Sequence, residues 1–417
     1  MRGTSSRSRR GSSSSTCRSS RLSVVINTLR ILFTCRPLSG HFEPLLPLAK
    51  AARDAGHDVA FASGDPFDGR AEAAGFGAFR VGPGESFRAE WMPRFPGLST
   101  LVGDAMREFF FTEIFANLEL VPRAIDLETV IQEWQPDVVV HEIAELAAPM
   151  VCTALGVPYV DVGYGPLTPR SLLEAAGSAV APHWQARGLE PHPLAGLYRY
   201  LYVDPCPPAL QSPGLADVEA VQLMRTVAVD EASSARPAWF DDLPDRPIVY
   251  VTLGTIWNRD LRFFEIVIEA LRDDVNLVVT VGSQNDPEAF GAQPSSVVVR
   301  RFIPQHEVLP WCGAAVMHGG SGTMLGALAH GVPLLVIPQG ADQWANAQQV
   351  VASGAGRRLL RDDVSVEVVR REMSTLLGDR SYSSAAANVR DQIRDMPPPA
   401  AAVARIEALL AASRPAG

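Results

Sequence analysis

The sequence predicts an α/β protein with two domains, each built on a parallel sheet. The length, 417 residues, favours two domains over one. Short apolar runs alternate with helical segments over residues 31–62, and they do so again over residues 248–337. Such alternation is typical of βαβ units, in which functional side chains stand in loops at the carboxyl ends of the strands.

The composition argues against several classes of protein. Hydrophobic residues make up 47% of the chain, which is ample for two cores, and the net charge of −9 provides no basic field to attract nucleic acid. The five cysteines are scattered without a Cys-x-x-Cys spacing, which indicates reduced thiols and neither a disulfide framework nor a zinc site. No apolar run approaches the roughly 20 residues that span a membrane. We therefore expect a cytoplasmic protein.

The chain is expected to divide into five segments. Serine and arginine dominate residues 1–28, which we expect to be a disordered extension or the product of a start codon placed too far upstream. A first domain is predicted over residues 29–208, and a linker rich in Pro, Ser and Asp over residues 209–246, with one strand at 224–229. A second domain is predicted over residues 247–399, followed by a C-terminal helix within residues 400–417.

The first domain opens with a predicted strand at residues 31–34, a helix at 44–55 and a second strand at 59–62. His41 falls in the loop between the first strand and the helix. A histidine there can act as a general base, because its pKa lies near working pH. A histidine that caps the helix or faces water would fit the same pattern.

A carboxylate stands at the end of a later strand. Residues 137–140 are predicted as a strand that ends at His141 and Glu142, on the side of the sheet where active sites form. Carboxylates are usually exposed, so a solvated charge is the alternative for Glu142. The preceding residues, 82–133, are less regular and rich in aromatic side chains, which most often form core.

Two glycine turns in the second domain suggest phosphate binding. The first, Gly254-Thr255, follows a predicted strand at 248–253 and can present an N–H and a hydroxyl. The second is His318-Gly319-Gly320-Ser321-Gly322-Thr323, between a strand at 314–317 and a helix that ends near Gly331. Backbone N–H groups at a helix N-terminus suit a phosphate, although such a turn often serves packing alone. Asp342 and Gln343 then offer a carboxylate and an amide for sugar hydroxyls. Together they suggest a nucleotide-sugar site.

Four segments of this half resemble the donor signature of family 1 glycosyltransferases: Phe302-Ile303-Pro304-Gln305, His318-Gly319-Gly320, Gly331-Val332-Pro333 and Asp342-Gln343-Trp344-Ala345-Asn346. The chain is most similar to actinobacterial enzymes that decorate polyketides, macrolides, enediynes and related metabolites, from about Leu29 to the C-terminus. The resemblance implies the GT-B fold, in which two Rossmann-like domains face each other across a cleft. The acceptor would lie in the first domain and the donor on the second, with the last helix packing back on the first.

The resemblance also implies roles for residues. Ser39-Gly40-His41 is similar to the family motif whose histidine is the catalytic base, and Glu142 stands where many relatives carry an Asp that orients it. Phe302 replaces a Trp that stacks on the nucleotide base, and Ile303 and Gln305 would serve the base edge or the ribose. Backbone amides, His318 and Thr323 would stabilise the leaving diphosphate.

One departure from the family pattern indicates the nucleotide. Members that use uridine donors carry a ribose-binding Glu at the position of Gly326, and a thymidine donor has no 2′-hydroxyl to bind. We therefore expect an inverting transfer of a deoxyhexose from a TDP-sugar to a hydroxyl of a secondary-metabolite acceptor. The chain has no Asp-x-Asp motif, so neither a metal nor another cofactor is expected.

Several alternatives remain open at this point. A C-glycosyltransferase acting on an aromatic polyketide would use the same His41. A nucleotide-sugar 2-epimerase or a non-catalytic binding partner would share the donor half but has no use for an acceptor-activating base. A homodimer or an auxiliary protein is compatible with the sequence, whereas a nucleic-acid or membrane partner is not expected.

Overall fold

The computed structural model describes Met1 and residues 28–225, 236–254 and 261–413. The predicted extension, with Cys17, therefore falls almost entirely outside the described residues, as do Thr255 and residues 226–229 of the predicted linker strand. The described residues form two parallel sheets, of seven and six strands. Among them, no helix is both long and apolar enough to cross a membrane.

The first sheet has the strand order β3-β2-β1-β4-β5-β6-β7. Its strands are β1 Arg30–Thr34, β2 Asp58–Ser63, β3 Gly77–Arg80, β4 Val138–Glu142, β5 Tyr159–Val162, β6 Leu201–Asp204 and β7 Val221–Leu223. The order reverses between β1 and β4, which pair in parallel with Thr34 opposite His141. Ligands of open α/β sheets bind at such a reversal, beyond the carboxyl ends of the strands.

The second sheet has the order β10-β9-β8-β11-β12-β13. Its strands are β8 Ile248–Thr252, β9 Asn276–Thr280, β10 Val297–Arg300, β11 Ala314–Met317, β12 Leu334–Val336 and β13 Gly356–Arg358. Here the reversal lies between β8 and β11, where Thr252 is opposite Met317. The turn at Gly254 and the glycine turn that begins at His318 therefore emerge side by side.

Helices cover the sheets and connect their strands. They are α1 Ser39–Phe42, α2 Leu46–Asp54, α3 Phe67–Ala73, α4 Phe87–Trp91, α5 Gly103–Phe109, α6 Leu120–Trp134, α7 Ala147–Leu155, α8 Arg170–Ala186, α9 Leu261–Leu271, α10 Gln305–Val308, α11 Ser321–Ala329, α12 Gln343–Ala352, α13 Val366–Gly378, α14 Arg380–Asp395 and α15 Pro399–Ser413. A ten-residue π-helix, Phe110–Glu119, joins α5 to α6.

The C-terminal helix α15 packs on α2, at the first sheet. Its buried face enters the same apolar cluster as β1 and β2 through Ala402, Val403, Ile406 and Leu410. A polar contact accompanies this packing, because His57 Nε2 lies 3.1 Å from Glu407 Oε1 while its Nδ1 accepts the Leu29 N–H at 3.3 Å. His57 is therefore structural, as its position beside Gly56 predicts.

Two local expectations are wrong. The first helical segment begins at Ser39 and not near residue 44, so His41 lies on α1 and not in a loop. The helical path survives Pro44 and Pro47 because each stands in the first turn of a new helical segment, where a missing N–H costs little. The strand predicted at residues 224–229 of the linker is also misplaced, because β7 spans Val221–Leu223 and does not include residues 224 and 225.

Candidate active site

His41 and Glu142 meet at the reversal of the first sheet. His41 follows the carboxyl end of β1, Glu142 is the last residue of β4, and His41 Nδ1 lies 3.0 Å from Glu142 Oε1. Glu142 is fully buried and accepts the backbone N–H groups of Arg36 at 3.3 Å and Ala144 at 2.6 Å. The Glu142 side chain is one methylene longer than an aspartate, but these donors fix its carboxylate in contact with the histidine.

The charge of Glu142 determines the tautomer of neutral His41. Burial alone would raise the pKa of Glu142, but the adjacent His41 imidazole, the Ala144 N–H and the Arg36 cation lower it to about 2. An ionised carboxylate can only accept hydrogen bonds. The imidazole proton therefore lies on Nδ1, and Nε2 keeps the lone pair that a general base needs.

Arg36 contacts the opposite side of the same imidazole. Its Nη1 lies 3.5 Å from His41 Nε2. Its Nε and Nη2 donate to the two oxygens of Glu119 at 2.6 and 2.8 Å, and its guanidinium lies 3.8 Å from the centre of the Phe115 ring. Burial would raise the pKa of Glu119, but this bidentate ion pair holds it below its usual range.

A second buried arginine supports the loop after β1. Arg123 forms a buried ion pair with Glu145 and donates to the Cys35 carbonyl at 2.9 Å. On the neighbouring strands, His141 Nε2 lies 3.0 Å from Asp161 Oδ1, and both side chains are fully buried. This second histidine–carboxylate pair lies in the core, away from the cavity described below.

On the second sheet, His318 is held between two glycines. A Cβ at Gly254 would lie 2.6 Å from the His318 ring, and one at Gly320 would lie 2.5 Å from it. Burial lowers the pKa of His318 to about 4, partly offset by Asp342, so the imidazole is neutral near pH 7. Among the residues that the structure describes, its Nδ1 has no hydrogen-bond partner. A neutral imidazole with an unused nitrogen can donate to a ligand without contributing a charge.

The glycine turn leads directly into α11, whose N-cap residue is Gly320 and carries no side-chain cap. The first N–H groups of α11, from Ser321, Gly322 and Thr323, therefore have no side-chain partner at the cap. The Thr323 hydroxyl oxygen accepts from Gln305 Nε2 at 3.2 Å, which leaves its proton to donate. The turn offers hydrogen-bond donors of the kind that bind a diphosphate.

Asp342 and Gln343 use some of their polar atoms in hydrogen bonds within the protein, so fewer of these atoms are available to a ligand than the sequence predicts. Asp342 Oδ2 accepts from Ser321 Oγ at 2.7 Å and from Asn346 Nδ2 at 2.9 Å. Gln343 Oε1 accepts the backbone N–H groups of Gln339 and Gly340 at 2.7 and 3.0 Å. Both residues still line the cavity, but Gln343 holds a turn with its oxygen, and Ser321 uses its hydroxyl to orient Asp342.

The two residues expected at the nucleotide base lie apart from this cavity. The Phe302 side chain is 76% exposed, and Ile303 is buried in the core of the second sheet. Gln305 lines the cavity, and its Oε1 lies 3.6 Å from the position of a Cβ at Gly326. Gln305 therefore occupies the space beside Gly326. Thr255 lies outside the described residues.

One cavity of about 550 Å³ brings the two halves together. It is lined by His41 and Arg36 from the first sheet and by Gly254, His318 and the start of α11 from the second. Its aromatic lining residues are Trp91, Phe110, Phe111, Phe115 and Tyr164. Arg107 also lines it and is 5% exposed; its Nη1 lies 4.0 Å from Asp104 Oδ1 and donates no hydrogen bond to any residue in the described part of the chain.

Sequence patterns did not indicate Arg36, Arg107, Glu119 or Tyr164. Arg36 stands five residues before His41, a separation that gives no periodic signal, and Glu119 is brought to the cavity by the π-helix. The one available signal was chemical: Glu119 and Arg107 are charged residues in a segment otherwise rich in apolar side chains, and buried charges require partners.

Comparisons with known proteins agree with this geometry. Residues 100–254 and 265–409 match the family models described as the N-terminal and C-terminal domains of erythromycin biosynthesis protein CIII-like proteins. L-demethylnoviosyl transferase from Streptomyces niveus is 31% identical over 89% of this chain and 96% of its own.

Solved structures show the same arrangement of the whole chain. The glycosyltransferase SnogD from Streptomyces nogalater is 28% identical, with a TM-score of 0.71 over 92% of this chain and 100% of that one. SsfS6 from Streptomyces sp. SF2575, solved with thymidine diphosphate, is 25% identical, with a TM-score of 0.72 over 91% and 99% of the two chains. The two parallel sheets that face the shared cavity therefore form the GT-B fold.

Proposed function

The chain belongs to the erythromycin biosynthesis protein CIII-like family of glycosyltransferases, and on that premise we propose that it transfers a deoxyhexose from a TDP-sugar to a hydroxyl of a secondary-metabolite acceptor. The observation that carries the proposal is the shared cavity. It joins the His41–Glu142 pair to the uncapped N-terminus of α11 and to His318. A base for the acceptor therefore faces a binding site for the leaving group.

His41 is the proposed general base. Its Nε2 removes the proton from the acceptor hydroxyl, and the oxygen attacks the anomeric carbon as the bond to the diphosphate oxygen breaks. The electron pair of that bond leaves with TDP. Glu142 stabilises the imidazolium that forms at His41, as a buried carboxylate does beside a catalytic histidine. Attack from the face opposite the leaving group inverts the anomeric carbon.

The leaving diphosphate is proposed to bind at the glycine turn. The N–H groups of α11, the Thr323 hydroxyl and a neutral His318 N–H would donate to it as its negative charge grows. Preorganised donors of this kind can stabilise a leaving diphosphate without a metal. Asp342, oriented by Ser321 and Asn346, keeps its Oδ1 for a sugar hydroxyl.

TDP is the proposed nucleotide because of the residues at and beside position 326. Gly326 provides no carboxylate for a ribose 2′-hydroxyl, and Gln305 lies beside it. A thymidine nucleotide has no 2′-hydroxyl to satisfy. SsfS6, a structural relative of the chain, was solved with thymidine diphosphate, which supports the same choice.

Calorimetric titration with TDP and with UDP, in the presence of EDTA, tests the donor half. We expect TDP to bind about 10-fold more tightly than UDP. Tighter binding of UDP would contradict the TDP assignment, and binding of neither would argue for a non-catalytic protein.

His41→Ala tests the acceptor half. Loss of a general base should lower transfer by about 10²–10⁴-fold, while TDP affinity stays within about twofold because His41 lies on the first sheet. An equal loss of transfer and of TDP binding would contradict the base assignment.

A further inference from the structure

The position of Arg36 suggests that it has more than a structural role. It stands 3.5 Å from His41 Nε2, the atom proposed to take the acceptor proton. Its other two nitrogens are held by Glu119, and its flat face rests on Phe115, so the guanidinium cannot turn away. A cation fixed beside the proton-accepting atom is unnecessary for orienting the histidine, because Glu142 already does so through Nδ1.

The separation of the two nitrogens fits a single bridging oxygen. Hydrogen bonds between nitrogen and oxygen are about 2.9 Å long, so one oxygen can lie at that distance from two nitrogens that are 3.5 Å apart. An acceptor hydroxyl in this position would donate its proton to His41 Nε2 and accept an N–H from Arg36 Nη1. Both nitrogens belong to residues that line the cavity.

We propose that Arg36 is a second catalytic residue, which donates to the acceptor oxygen from Nη1, and that it makes the enzyme selective for a phenolic hydroxyl on a flat aromatic acceptor. This inference rests on the function proposed above. The phenol gives its proton to His41 Nε2, the oxygen becomes negative beside Arg36, and that oxygen then forms the bond to the anomeric carbon as TDP leaves. No further reactant is required.

The preference for a phenol follows from where the charge develops. A fixed donor stabilises an oxygen in proportion to the negative charge on it, and removal of one such donor typically costs about 10²–10³-fold in rate. A phenol, with a pKa of about 10 like tyrosine, ionises within reach of a histidine assisted by a guanidinium. An aliphatic hydroxyl has a pKa far above that of a phenol and carries little charge before it attacks, so it gains less from Arg36.

The walls of the cavity suit a flat ring. Phe110, Phe111 and Phe115 lie on the π-helix and form one cluster with Trp91. Neighbouring rings of this cluster have centroids 5.1 to 6.1 Å apart. Tyr164 stands edge-on to His41 at 5.5 Å between ring centres. An aromatic acceptor can stack among these rings while its hydroxyl reaches the two nitrogens.

The first test compares two acceptors that differ only at the nucleophile. A coumarin with a phenolic 7-hydroxyl and the same coumarin with a 7-hydroxymethyl group are supplied with TDP-glucose and with TDP-6-deoxyglucose. We expect kcat/KM to be at least about 100-fold higher for the phenol. Equal rates for the two acceptors would overturn the inference while leaving the proposed function intact.

The second test removes the guanidinium without leaving a buried charge unpaired. In the double variant Arg36→Gln/Glu119→Gln, transfer to the phenol should fall by about 10²-fold, and transfer to the hydroxymethyl compound by only a few-fold. Arg88→Gln, a change at an arginine of the same cavity, should keep the preference for the phenol. Arg36→Lys should lose it in part, because lysine cannot hold the bidentate contact with Glu119.

Calorimetric titration with TDP separates this inference from the proposed function. TDP binding should remain within about twofold in every variant, because the altered residues lie on the first sheet. An equal loss for both acceptors in the double variant, with TDP binding intact, would show that Arg36 is only structural. If the unaltered protein bound no TDP and used neither acceptor, the proposed function would fall, and this inference with it.

Discussion

At the scale of single residues, charge state decides what the two histidines of the cavity can do. His41 lies against an ionised carboxylate, whereas His318 is buried between two glycines and stays neutral near pH 7. Glu142 can therefore stabilise a proton that is transferred to His41, whereas a neutral His318 can donate a hydrogen bond to an anion without carrying a charge itself. The same side chain is thus proposed to serve proton transfer in one half and anion binding in the other.

Glu142→Gln tests the carboxylate. The amide can still occupy the site, but it cannot stabilise an imidazolium and does not enforce the tautomer. We expect kcat to fall by about 10²–10⁴-fold, measured as release of TDP in the presence of acceptor, with TDP affinity unchanged. Asp161→Asn is the matched control: it alters the buried His141 pair and should cost stability with less than about 10-fold loss of kcat. Similar losses in both variants would contradict a specific role for Glu142.

The low pKa of Glu142 also predicts how stability depends on pH. A carboxyl group whose pKa is about 2 in the folded protein and 4.5 in the ordinary, unperturbed state stabilises the fold at neutral pH. That contribution, about 3 kcal/mol in order of magnitude, is present above pH 4.5 and is lost as the pH falls towards 2. Urea unfolding at pH 7 and pH 3 should show a loss about 2 kcal/mol larger for the unaltered protein than for Glu142→Gln. Parallel losses would mean that Glu142 is not held ionised.

At the scale of elements, the strands that end at the site were predictable and the helices that line it were not. β1 and β4 contain runs of three apolar residues and β11 is apolar throughout, so their positions follow from the sequence, and β11 matches its predicted residues 314–317. The π-helix was not predictable, because residues 110–119 show ordinary helical spacing and nothing local favours i→i+5 hydrogen bonds. Without it, the approach of Glu119 to Arg36 cannot be inferred.

The candidate site divides in the same way. His41 follows β1, Glu142 ends β4 and the glycine turn follows β11, and parallel pairing brings residues at the carboxyl ends of neighbouring strands together. Arg36 and Glu119 are separated by 83 residues and meet through tertiary packing that no sequence period encodes. The hydrogen bonds that Gln343 and Ser321 make within the protein were equally unpredictable, because a sequence does not distinguish a side chain that holds a turn from one that binds a ligand.

Gly320→Ala tests the turn between β11 and α11. A methyl group there would lie 2.5 Å from His318 Nε2, closer than real contacts allow, so the ring must move. We expect TDP affinity to fall by at least about 10-fold, the loss of one charge-assisted hydrogen bond, as measured by calorimetry. Gly69→Ala, on α3, is the control, because a methyl group at Gly69 meets nothing within 4 Å. Unchanged TDP binding in Gly320→Ala would exclude His318 from the diphosphate site.

At the scale of the whole molecule, the proposed transfer depends on how closely the two sheets approach. The reversal of strand order in each sheet opens towards the same cavity, so His41 and the glycine turn that begins at His318 face each other. Among the contacts that hold this arrangement, α15 returns from the second half to pack on α2, and Gly165, after β5, lies against Ser321 of α11. The contact between Gly165 and Ser321 is next to the proposed site of transfer.

Gly165→Ala tests whether this close approach is required. A Cβ at Gly165 would lie 2.4 Å from Ser321 Oγ and 3.1 Å from Ser321 Cβ, so either the Ser321 hydroxyl must rotate away from Asp342 or the two halves must move apart. A misplacement of about 1 Å between reacting groups can cost about 10²-fold in rate. We expect kcat/KM to fall by at least about 10-fold, while TDP, which is proposed to bind the second half alone, keeps its affinity.

Introducing Gly165→Ala into a Ser321→Gly variant tests whether its effect comes from steric contact with Ser321. Removal of the serine side chain leaves space for the alanine methyl group, with Asn346 Oδ1 at 3.5 Å as the next neighbour. Ser321→Gly will itself lower activity, because Asp342 loses a hydrogen bond at 2.7 Å. In that background, however, Gly165→Ala should lower kcat/KM by less than about twofold. The double-mutant cycle would then show strong coupling between Gly165 and Ser321. If Gly165→Ala costs the same in both backgrounds, the contact between the halves does not control the reaction, and the approach of base and donor must be set by α15 and the remaining contacts across the cleft.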